Sequence, residues 1–435
     1  MSSTIRSADI PVRNKPGGFL QSEVGSFPAE WKVDRVDSAF QIQQGKQVSA
    51  GNRMGENQRP FLRTKNVFWN RLDLAELDQM HFSDKEETRL ELVTGDLLVC
   101  EGGAIGRTAL WSNQVEGCLY QNHLHRLRAK AGKVDPQFAV YWFWYAFDIA
   151  KLYFGRGNVT TIPNLSQSKL AELPMVFPPL PEQKKISHIL STVQRAIEEQ
   201  ERIIQTTTEL KKTLMHKLFT DGLRNEPKKQ TDAGLIPESW KPCKVGDVAR
   251  IQSGGTPARD TPENWSGGTI PWVKTGEIDY CIIRETEEKI TPSGLSNSAA
   301  RLFPAGTLLM AMYGQGITRG RVALLAIEAA TNQACASITP TDESEASSRF
   351  LYYWFEYNYE NLRRLGHGAN QRNMNAALIR SFPLAVPSTA DQRGIVAALS
   401  KLDEKCHLLK QKASYLNDLF RTLLHELMTA KMQPQ

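Results

Sequence analysis

The 435-residue sequence predicts an α+β fold in which two pseudo-repeated α/β domains are joined by two long helices packed as an antiparallel coiled coil. Two observations lead to this prediction. The chain repeats itself at about half its length, and each copy ends in a long segment with apolar residues at coiled-coil spacing. The length itself also favours two or three domains.

The repeat is clearest where each domain begins. The motif P-x-x-W-K covers residues 28–32 and again 237–241, and Trp31 and Trp240 are 209 residues apart. Further along, TGDLLVCEGGAIGR in the first copy matches AGTLLMAMYGQGITRGR in the second. Short apolar runs interrupted by glycine turns are typical of strands, so each half is expected to contain a mixed domain.

A long helical segment closes each half, and the two segments end in the related sequences TLMHKL and TLLHEL. Apolar residues there alternate at spacings of four and three, which is the seam of a coiled coil. So long a helix with a narrow apolar stripe needs a partner, and the other copy is the obvious one. Polar residues occupy three seam positions of the first helix, at Gln200, Thr207 and Lys211. The predicted apolar seam is Ile186, Leu190, Val193, Ile197, Ile204, Leu214, Leu218, Ile395, Leu399, Leu402, Leu409, Leu416, Phe420, Leu423 and Leu427.

These patterns divide the chain into five segments. His216 and His425 fall between seam positions, so a capping or rim role is expected for them rather than metal binding. The proline-rich breaks before each helix set the domain ends. The predicted segments are an N-terminal arm (1–24), a first domain (25–177), a first spacer helix (178–224), a second domain (225–386) and a second spacer helix (387–435).

Composition narrows the function classes. The net charge of +6 permits a polyanionic partner without requiring one. Six cysteines without a C-x-x-C pair argue against a disulfide framework and a zinc site. No apolar run is long enough to cross a bilayer and the N-terminus lacks a signal core, so a cytoplasmic location is expected.

Catalytic signatures are missing from the sequence. It contains no phosphate-binding G-x-x-x-x-G-K-[ST], no dinucleotide G-x-G-x-x-G, no amino-methyltransferase N-P-P-[FY], no G-x-S-x-G and no H-E-x-x-H. Glu287 and Lys289 form an E-x-K pattern after Asp279, as in metal-dependent nucleases, but the other half has no equivalent. We therefore expect no catalytic residue and no bound metal in this chain.

Polar, glycine-rich loops at matching places in both halves are the candidate binding elements. Arg and Lys suit phosphates and guanine edges, whereas Asn and Gln suit adenine edges. Two such sets on equivalent domains suit a repeated ligand, and double-stranded DNA is the obvious one. The predicted DNA-binding residues are Gln44, Lys46, Arg53, Arg59, Arg63, Lys65, Asn66, Arg107, Arg156 and Asn158 in the first half, and Thr256, Arg259, Lys274, Arg319, Arg321, Asn370, Gln371, Arg372 and Asn373 in the second.

Taken together, these features resemble the specificity (S) subunit of a type I restriction-modification system. The resemblance is carried by the duplication, the P-x-x-W-K entry, the glycine loop before a short strand, and the break PLPEQKKI over 179–186. In the second half this break is degraded to PSTADQRGI, which keeps Gln392, Arg393 and Ile395. The match covers essentially everything after about residue 20.

The resemblance implies a non-catalytic subunit whose two target-recognition domains each read one half of a bipartite, asymmetric DNA target. The two helices would be the family's conserved spacer. Two methylation (M) subunits would dock on the chain, and motor-nuclease (R) subunits would join that core. S-adenosylmethionine, ATP and Mg²⁺ would then belong to the partners. For the methylation subunits we predict contact with an outward face of the first helix, comprising Gln194, Arg195, Glu198, Arg202 and Glu209.

Three alternatives remain open from the sequence. The chain could be the specificity chain of a type IIB-like system, a Mg²⁺-dependent nuclease using Glu287 and Lys289, or a coiled-coil adaptor whose domains bind protein. Mg²⁺-dependent cleavage by the isolated chain would favour the nuclease. Affinity for duplex DNA that falls steeply with salt would count against the adaptor.

Overall fold

The chain forms two compact units, the first comprising residues 1–201 with 411–435 and the second residues 202–410. The computed structural model describes residues 13–15, 18–153, 164–313, 317–365 and 374–434. Each unit holds one mixed domain together with parts of two long helices, α6 (Leu180–Asp221) and α12 (Thr389–Met428).

The described part of unit 1 contains fourteen strands, five shorter helices and parts of α6 and α12. The strands are β1 (Arg13–Lys15), β2 (Phe19–Ser22), β3 (Gly25–Pro28), β4 (Lys32–Arg35), β5 (Phe40–Gln44), β6 (Gln58–Leu62), β7 (Val67–Phe68), β8 (Arg71–Leu72), β9 (Asp78–His81), β10 (Leu97–Cys100), β11 (Thr108–Leu110), β12 (Leu119–Tyr120), β13 (Leu124–Ala129) and β14 (Pro174–Phe177). The shorter helices are α1 (Val36–Ala39), α2 (Ala50–Arg53), α3 (Asp84–Leu90), α4 (Pro136–Trp144) and α5 (Gln167–Glu172). A π turn (Tyr145–Ile149) extends α4, and a 3₁₀ turn covers Thr64–Asn66.

The central sheet of unit 1 has the strand order β11-β10-β13-β5, with antiparallel pairing throughout. Successive side chains of β10 point to opposite faces, as a strand requires. Leu97 and Val99 face the core that α4 fills, whereas Leu98 and Cys100 face a second core. That second core lies under the loop-bearing sheet, in which β6 pairs in parallel with β12 and antiparallel with β9. Separately, β4 pairs with β14.

Unit 2 repeats this plan. Its strands are β15 (Lys228–Thr231), β16 (Gly234–Pro237), β17 (Lys241–Lys244), β18 (Ala249–Ser253), β19 (Ile270–Val273), β20 (Cys281–Ile283), β21 (Glu288–Ile290), β22 (Leu302–Phe303), β23 (Leu308–Ala311), β24 (Val322–Leu325), β25 (Ala329–Thr331), β26 (Cys335–Pro340) and β27 (Pro383–Val386). Its shorter helices are α7 (Val245–Val248), α8 (Pro292–Ser296), α9 (Ser348–Tyr357), α10 (Tyr359–Leu365) and α11 (Ala376–Ser381), with 3₁₀ turns over Pro262–Asn264 and Thr275–Glu277.

The strand pairings of the two domains correspond. The order β18-β26-β23-β24 reproduces β5-β13-β10-β11, and β20 adds a parallel strand beyond β24. In the loop-bearing sheet, β19 pairs in parallel with β25 and antiparallel with β21, as β6 does with β12 and β9. The pair β17 and β27 matches β4 and β14. The predicted duplication of an α/β domain is therefore confirmed.

The N-terminal segment differs from the prediction. From Arg13 on, the supposed arm over 1–24 contributes β1 and β2 to a three-stranded sheet with β3. In unit 2, β15 and β16 form the equivalent hairpin. A hydroxyl closes each turn, because Val24 N–H donates to Ser22 Oγ and Ala233 N–H donates to Thr231 Oγ1. This segment was missed because its alternation is too weak to predict strands.

A buried glutamine ties the start of each long helix to its own domain. Gln183 accepts a hydrogen bond from Asp135 N–H (2.8 Å) and donates to the carbonyl of Pro178 (2.7 Å). Gln392 does the same with Ser347 N–H (3.0 Å) and Pro387 (3.2 Å). This shared role explains why glutamine survives in both breaks, PEQ and ADQ, although the surrounding residues change.

In both units the beginning of one long helix packs beside the end of the other. Ile186 and Leu190 of α6 share the core of unit 1 with Leu424 and Leu427 of α12, whereas unit 2 contains the end of α6 with the start of α12. The predicted antiparallel pair is thereby confirmed. Every predicted apolar seam residue is buried or half-buried, and so are the polar seam residues Gln200, Thr207 and Lys211.

Candidate nucleic-acid interface

The loop-bearing sheet of unit 1 presents a row of cations, each held by a carboxylate. Arg59 donates two hydrogen bonds to Glu87, at 2.8 and 3.2 Å, and Arg63 Nη1 lies 2.6 Å from Asp78. Lys65 Nζ is 3.4 Å from the same aspartate. The hydrogen bonds from Arg59 and Arg63 hold the pKa values of Glu87 and Asp78 below their usual range. These cations are therefore oriented but remain partly exposed, and their role in DNA binding stays a prediction.

Other predicted DNA-binding residues of unit 1 have internal roles instead. Asn66 is 3% exposed, and its amide bonds to Arg63 N–H and to the carbonyls of Asp73 and Glu76, so it has no polar group left for a base. Lys46 donates to Glu86 (2.6 Å) and to a backbone carbonyl. The Asn66 amide is thus committed to its own loop, whereas Lys46 pairs with groups 35 and 40 residues away. A role in DNA binding stays a prediction for both residues.

The remaining candidates of unit 1 lie at its loops. Gln44 donates to Glu101 (3.0 Å) and to a backbone carbonyl. Arg107 donates to the carbonyl of Val67, with its guanidinium 5.1 Å from the Phe68 ring centroid. Arg53 is exposed at the end of α2. Arg156 and Asn158 lie outside the described residues.

Unit 2 builds its cation site on two tryptophans. The guanidinium of Arg259 lies 3.8 Å from the ring centroid of Trp265 and 4.8 Å from that of Trp272. Its Nη1 is 2.5 Å from Glu288, and this hydrogen bond lowers the pKa of the carboxyl. Stacking fixes the plane of the guanidinium while about half of the side chain stays exposed, at 52%. Such a planar donor suits bidentate contacts to a guanine edge or a phosphate.

The carboxylates of the E-x-K pattern are paired with cations rather than with each other. Lys274 Nζ lies 2.5 Å from Glu287 and 3.2 Å from Glu288, while Asp279 pairs with Arg321. Within the described ranges, no group of three or more His, Cys, Asp or Glu side chains could hold a metal ion. In the free protein Glu287 and Asp279 are therefore each paired with a cation.

The glycine loop of unit 2 brings its cations against aromatic and backbone groups. Arg321 lies over the Tyr280 ring, 5.8 Å from the centroid, and Arg319 donates to the carbonyl of Arg363 (3.2 Å). Thr256 donates to the side chain of Gln333. The candidates Asn370, Gln371, Arg372 and Asn373 lie outside the described residues.

Sequence reasoning missed one cluster of arginines. Arg250, Arg301 and Arg380 line a cavity of about 500 Å³ beside the end of β18, where the divergent loop of unit 2 begins. Arg380 also donates to the carbonyl of Ile251 (3.0 Å). The three residues are far apart in sequence, Arg250 in β18, Arg380 in α11 and Arg301 just before β22, so no local motif could have found them.

The histidines and thiols have structural surroundings. His425 packs against Tyr145 at 5.8 Å between ring centroids, and His216 packs against Tyr357 at 6.0 Å, so the repeated T-L-x-H-x-L supports equivalent contacts in both units. Burial raises the pKa of Cys100 to about 12 and leaves that thiol protonated. All six cysteines are free. Among the described residues, no helix is both long and apolar enough to cross a membrane.

The face of α6 predicted to bind methylation subunits needs correction at one end. Gln194 points toward its own domain, where it accepts hydrogen bonds from Tyr141 (2.9 Å) and Asn70 (2.7 Å) and donates to Glu198. Arg195 is exposed. Gln194 was misplaced because the periodicity of the helix did not show that α4 covers this flank.

The family described as type I restriction modification DNA specificity domain matches residues 28–207 and again 237–417. A protein assigned as the type I restriction enzyme MjaX specificity subunit of Methanocaldococcus jannaschii is 21% identical over 426 residues, covering 96% of this chain and 97% of that protein. The EcoR124I/EcoR124II specificity subunit of Escherichia coli is 23% identical over 167 residues, which is 38% of this chain and 40% of that protein.

Two solved structures share the fold. The S subunit of a type I restriction-modification system from M. genitalium aligns with a TM-score of 0.58 at 17% identity, covering 91% of this chain and 96% of that one. A chain from a structural study of complex assembly in the type I R-M system aligns with a TM-score of 0.57 at 14% identity, covering 93% and 99%. At these identities the likeness establishes the fold alone.

Proposed function

Because the chain belongs to the family of type I restriction-modification DNA specificity domains, we propose that it is a sequence-specificity subunit that recognises a bipartite DNA target and has no catalytic activity of its own. One observation carries this proposal. The two units share their strand pairings but carry different cation sites at corresponding sheets, Arg59 and Arg63 in one and Arg259 with two tryptophans in the other. Equivalent frames with different contact residues suit two different half-sites.

The ion pairs at both sites leave the cations available. Pairs between exposed groups contribute about 0–1 kcal/mol, so exchanging a carboxylate for a DNA phosphate or base edge costs little. The Arg259 and Glu288 side chains are 52% and 29% exposed, and those of Arg63 and Asp78 are 38% and 34% exposed. The carboxylates thus hold the guanidinium groups in place in the free protein and release them to a stronger anion.

The partners follow from the same proposal. Methylation subunits and motor-nuclease subunits would assemble on this chain and would carry S-adenosylmethionine, ATP and Mg²⁺. A relative by fold comes from a study of complex assembly in a type I system, which supports such an assembly. The arginine-lined cavity formed by Arg250, Arg301 and Arg380 supplies a further phosphate contact for unit 2.

Co-expression with a candidate methylation subunit, followed by sequencing of methylated adenines, tests the proposal. The expected result is methylation at one split sequence that depends on this chain. Methylation at the same sites without the chain would refute the proposal. So would a chain that supports no methylation with any methylation subunit and binds duplex DNA without salt dependence. The same co-expression, repeated with other candidate companion chains, identifies the partner that the chain needs and so separates this proposal from a type IIB-like system.

Arg259→Ala tests the reading site directly. If Arg259 contacts a base edge, one position of the target should relax by about 1–3 kcal/mol, whereas a phosphate contact should weaken binding to all sequences and lower the salt slope by about 1. Arg224→Ala is the matched control, because Arg224 is also an exposed, ion-paired arginine of unit 2, 3.0 Å from Asp391. Equal effects of the two substitutions would place the reading site elsewhere.

A further inference from the structure

Unit 1 contains an aromatic socket where α4 meets the long helices. We define it as Tyr141 and Trp144 of α4 with Gln194 of α6. Phe420 of α12 occupies it, with its ring centroid 4.8 Å from that of Trp144 and 6.1 Å from that of Tyr141. The Tyr141 hydroxyl donates to Gln194 (2.9 Å), and Phe420 is buried. None of these four side chains carries a charge, although Gln194 also donates to the carboxylate of Glu198 (3.1 Å) at the edge of the site.

Unit 2 contains an acidic socket at the corresponding place. We define it as Tyr353 and Glu356 of α9 with Asp403 of α12. Lys211 of α6 occupies it, with its Nζ 2.7 and 2.8 Å from the two oxygens of Glu356 and 2.6 Å from Asp403. The Tyr353 hydroxyl donates to Asp403 (2.8 Å). Lys211 is buried, so its charge is held by these two carboxylates.

The sockets occupy the same positions of the repeat. Lys211 and Phe420 are 209 residues apart, the spacing of the repeat as a whole. In the aligned stretches YWFW (141–144) and YWFE (353–356) the two short helices keep the tyrosine and change the last tryptophan to glutamate. The corresponding pairs are Tyr141 with Tyr353, Trp144 with Glu356, Gln194 with Asp403, and Phe420 with Lys211. The two sockets therefore place their side chains at the same positions, but one is aromatic and the other is acidic.

The occupants cannot be exchanged without cost. A phenylalanine in the acidic socket would leave two carboxylates near each other without their lysine. A lysine in the aromatic socket would be an ammonium beside Tyr141, Trp144 and Gln194, none of which carries a charge. Although burial opposes the charge of Lys211, its two carboxylates outweigh that effect and raise its pKa above the ordinary value. Each socket thus selects its own occupant by charge.

We propose that the charge of each socket determines which helix end packs into it, and we call this selection between the repeats the pairing code. Each socket is built from the domain and the helix start of one repeat, while its occupant comes from the helix end of the other. The partner that fits is therefore the helix end of the unlike repeat. If the first repeats of two copies of this chain paired, Lys211 would enter an aromatic socket. If the second repeats paired, Phe420 would enter an acidic socket. Both pairings are disfavoured.

An exchange of the two occupants in the full chain tests this code. The variant Lys211→Phe with Phe420→Lys keeps the composition but mismatches both sockets, and its melting temperature is expected to fall by about 10 °C. Exchanging the sockets as well should restore it to within about 3 °C of the wild type. That variant adds the four substitutions Glu356→Trp, Asp403→Gln, Trp144→Glu and Gln194→Asp.

A smaller series covers the case in which the exchanged chain does not fold. Lys211→Phe alone leaves the acidic socket unpaired, and adding Glu356→Trp and Asp403→Gln converts it to the aromatic type. The triple variant is expected to regain at least half of the loss, because matched substitutions compensate whereas independent structural losses would add. A triple variant that melts at or below the single variant, or that is itself unfolded, overturns the proposal.

Light scattering tests the discrimination against a second copy. In the Lys211→Phe chain both helix ends carry a phenylalanine. When the first repeats of two copies pair, this phenylalanine enters an aromatic socket, so that pairing becomes as well matched as pairing within one chain. Its dimer fraction should exceed that of the wild type at equal concentration and should rise with concentration, and Phe420→Lys should behave likewise through the acidic socket. Dimer fractions equal to that of the wild type in both variants would overturn the code.

Discussion

Asn66 lies in a loop of unit 1 that also carries predicted DNA-binding cations, so substituting it distinguishes a role in holding the loop from a role in recognising DNA. Its buried amide accepts a hydrogen bond from Arg63 N–H (2.9 Å) and donates to the carbonyls of Asp73 (3.0 Å) and Glu76 (3.2 Å). It therefore closes the 3₁₀ turn at Thr64–Asn66 against the segment that precedes β9. Asn66→Ala removes all three bonds without touching any charged group of the loop.

The expected cost follows from those three bonds. Each contributes about 1 kcal/mol net, and backbone groups left unsatisfied in a buried site add to the loss, so unit 1 should lose about 2–3 kcal/mol. Urea denaturation followed by tryptophan fluorescence measures this as a lower midpoint with an unchanged slope. Methylation by the folded fraction, with a methylation subunit present, should keep its target sequence.

Arg53→Ala is the control in the same region, because Arg53 is exposed at the end of α2. Its stability should change by less than about 0.5 kcal/mol. The reasoning would be refuted if Asn66→Ala kept the wild-type midpoint and altered the target sequence, since Asn66 would then be reading DNA rather than holding the loop.

Three further predictions concern charge, pH and the glycine loop. Glu288→Gln should free Arg259 and raise affinity for duplex DNA with a steeper salt dependence, as measured by fluorescence anisotropy over a salt series; a loss of affinity would mean that the carboxylate is needed to position the guanidinium. Burial lowers the pKa of His125 below the ordinary 6.5, so as pH falls through 6.5 the unfolded chain takes up the proton first and the free energy of unfolding should decrease. His125→Gln should flatten this pH dependence in urea titrations between pH 5 and 8. Gly106→Ala should destabilise unit 1 by more than about 1 kcal/mol, because Gly106 has φ +77° and a Cβ would lie 2.2 Å from the Phe147 ring, whereas Gly102→Ala, with nothing within 4 Å, should leave the urea midpoint unchanged.

The framework was predictable from the sequence because it rests on local periodicity and on a repeat. The four-three spacing located the seam even where it is polar, and the structure gives Lys211 two carboxylate partners at such a position. The shared P-x-x-W-K motif marked equivalent domain entries, where Trp31 and Trp240 are both buried. Residue type and spacing are sufficient for such features.

The contact residues were less predictable because their partners lie elsewhere in the chain. Lys46 pairs with Glu86, which is 40 residues away, and nothing in the local sequence distinguishes this half-buried lysine from the exposed Arg53. Arg250 and Arg380 come together only when β18 and α11 pack. Sequence reasoning therefore found the loops that carry charge but could not tell which charges the fold already neutralises.

The glutamine at the start of each long helix has a consequence for engineering. Gln183 bonds only to main-chain groups of its domain, the N–H of Asp135 and the carbonyl of Pro178, and Gln392 likewise bonds to main-chain groups. These hydrogen bonds do not depend on the side chains of the domain. A foreign domain grafted between the same two attachment points would keep the two glutamine hydrogen bonds as long as its main chain passes through them. The junction of unit 1 also uses side chains, because Trp31 donates to Glu182 (3.0 Å) and Ser187 donates to Asp135, so a graft would have to keep Trp31 and Asp135 as well.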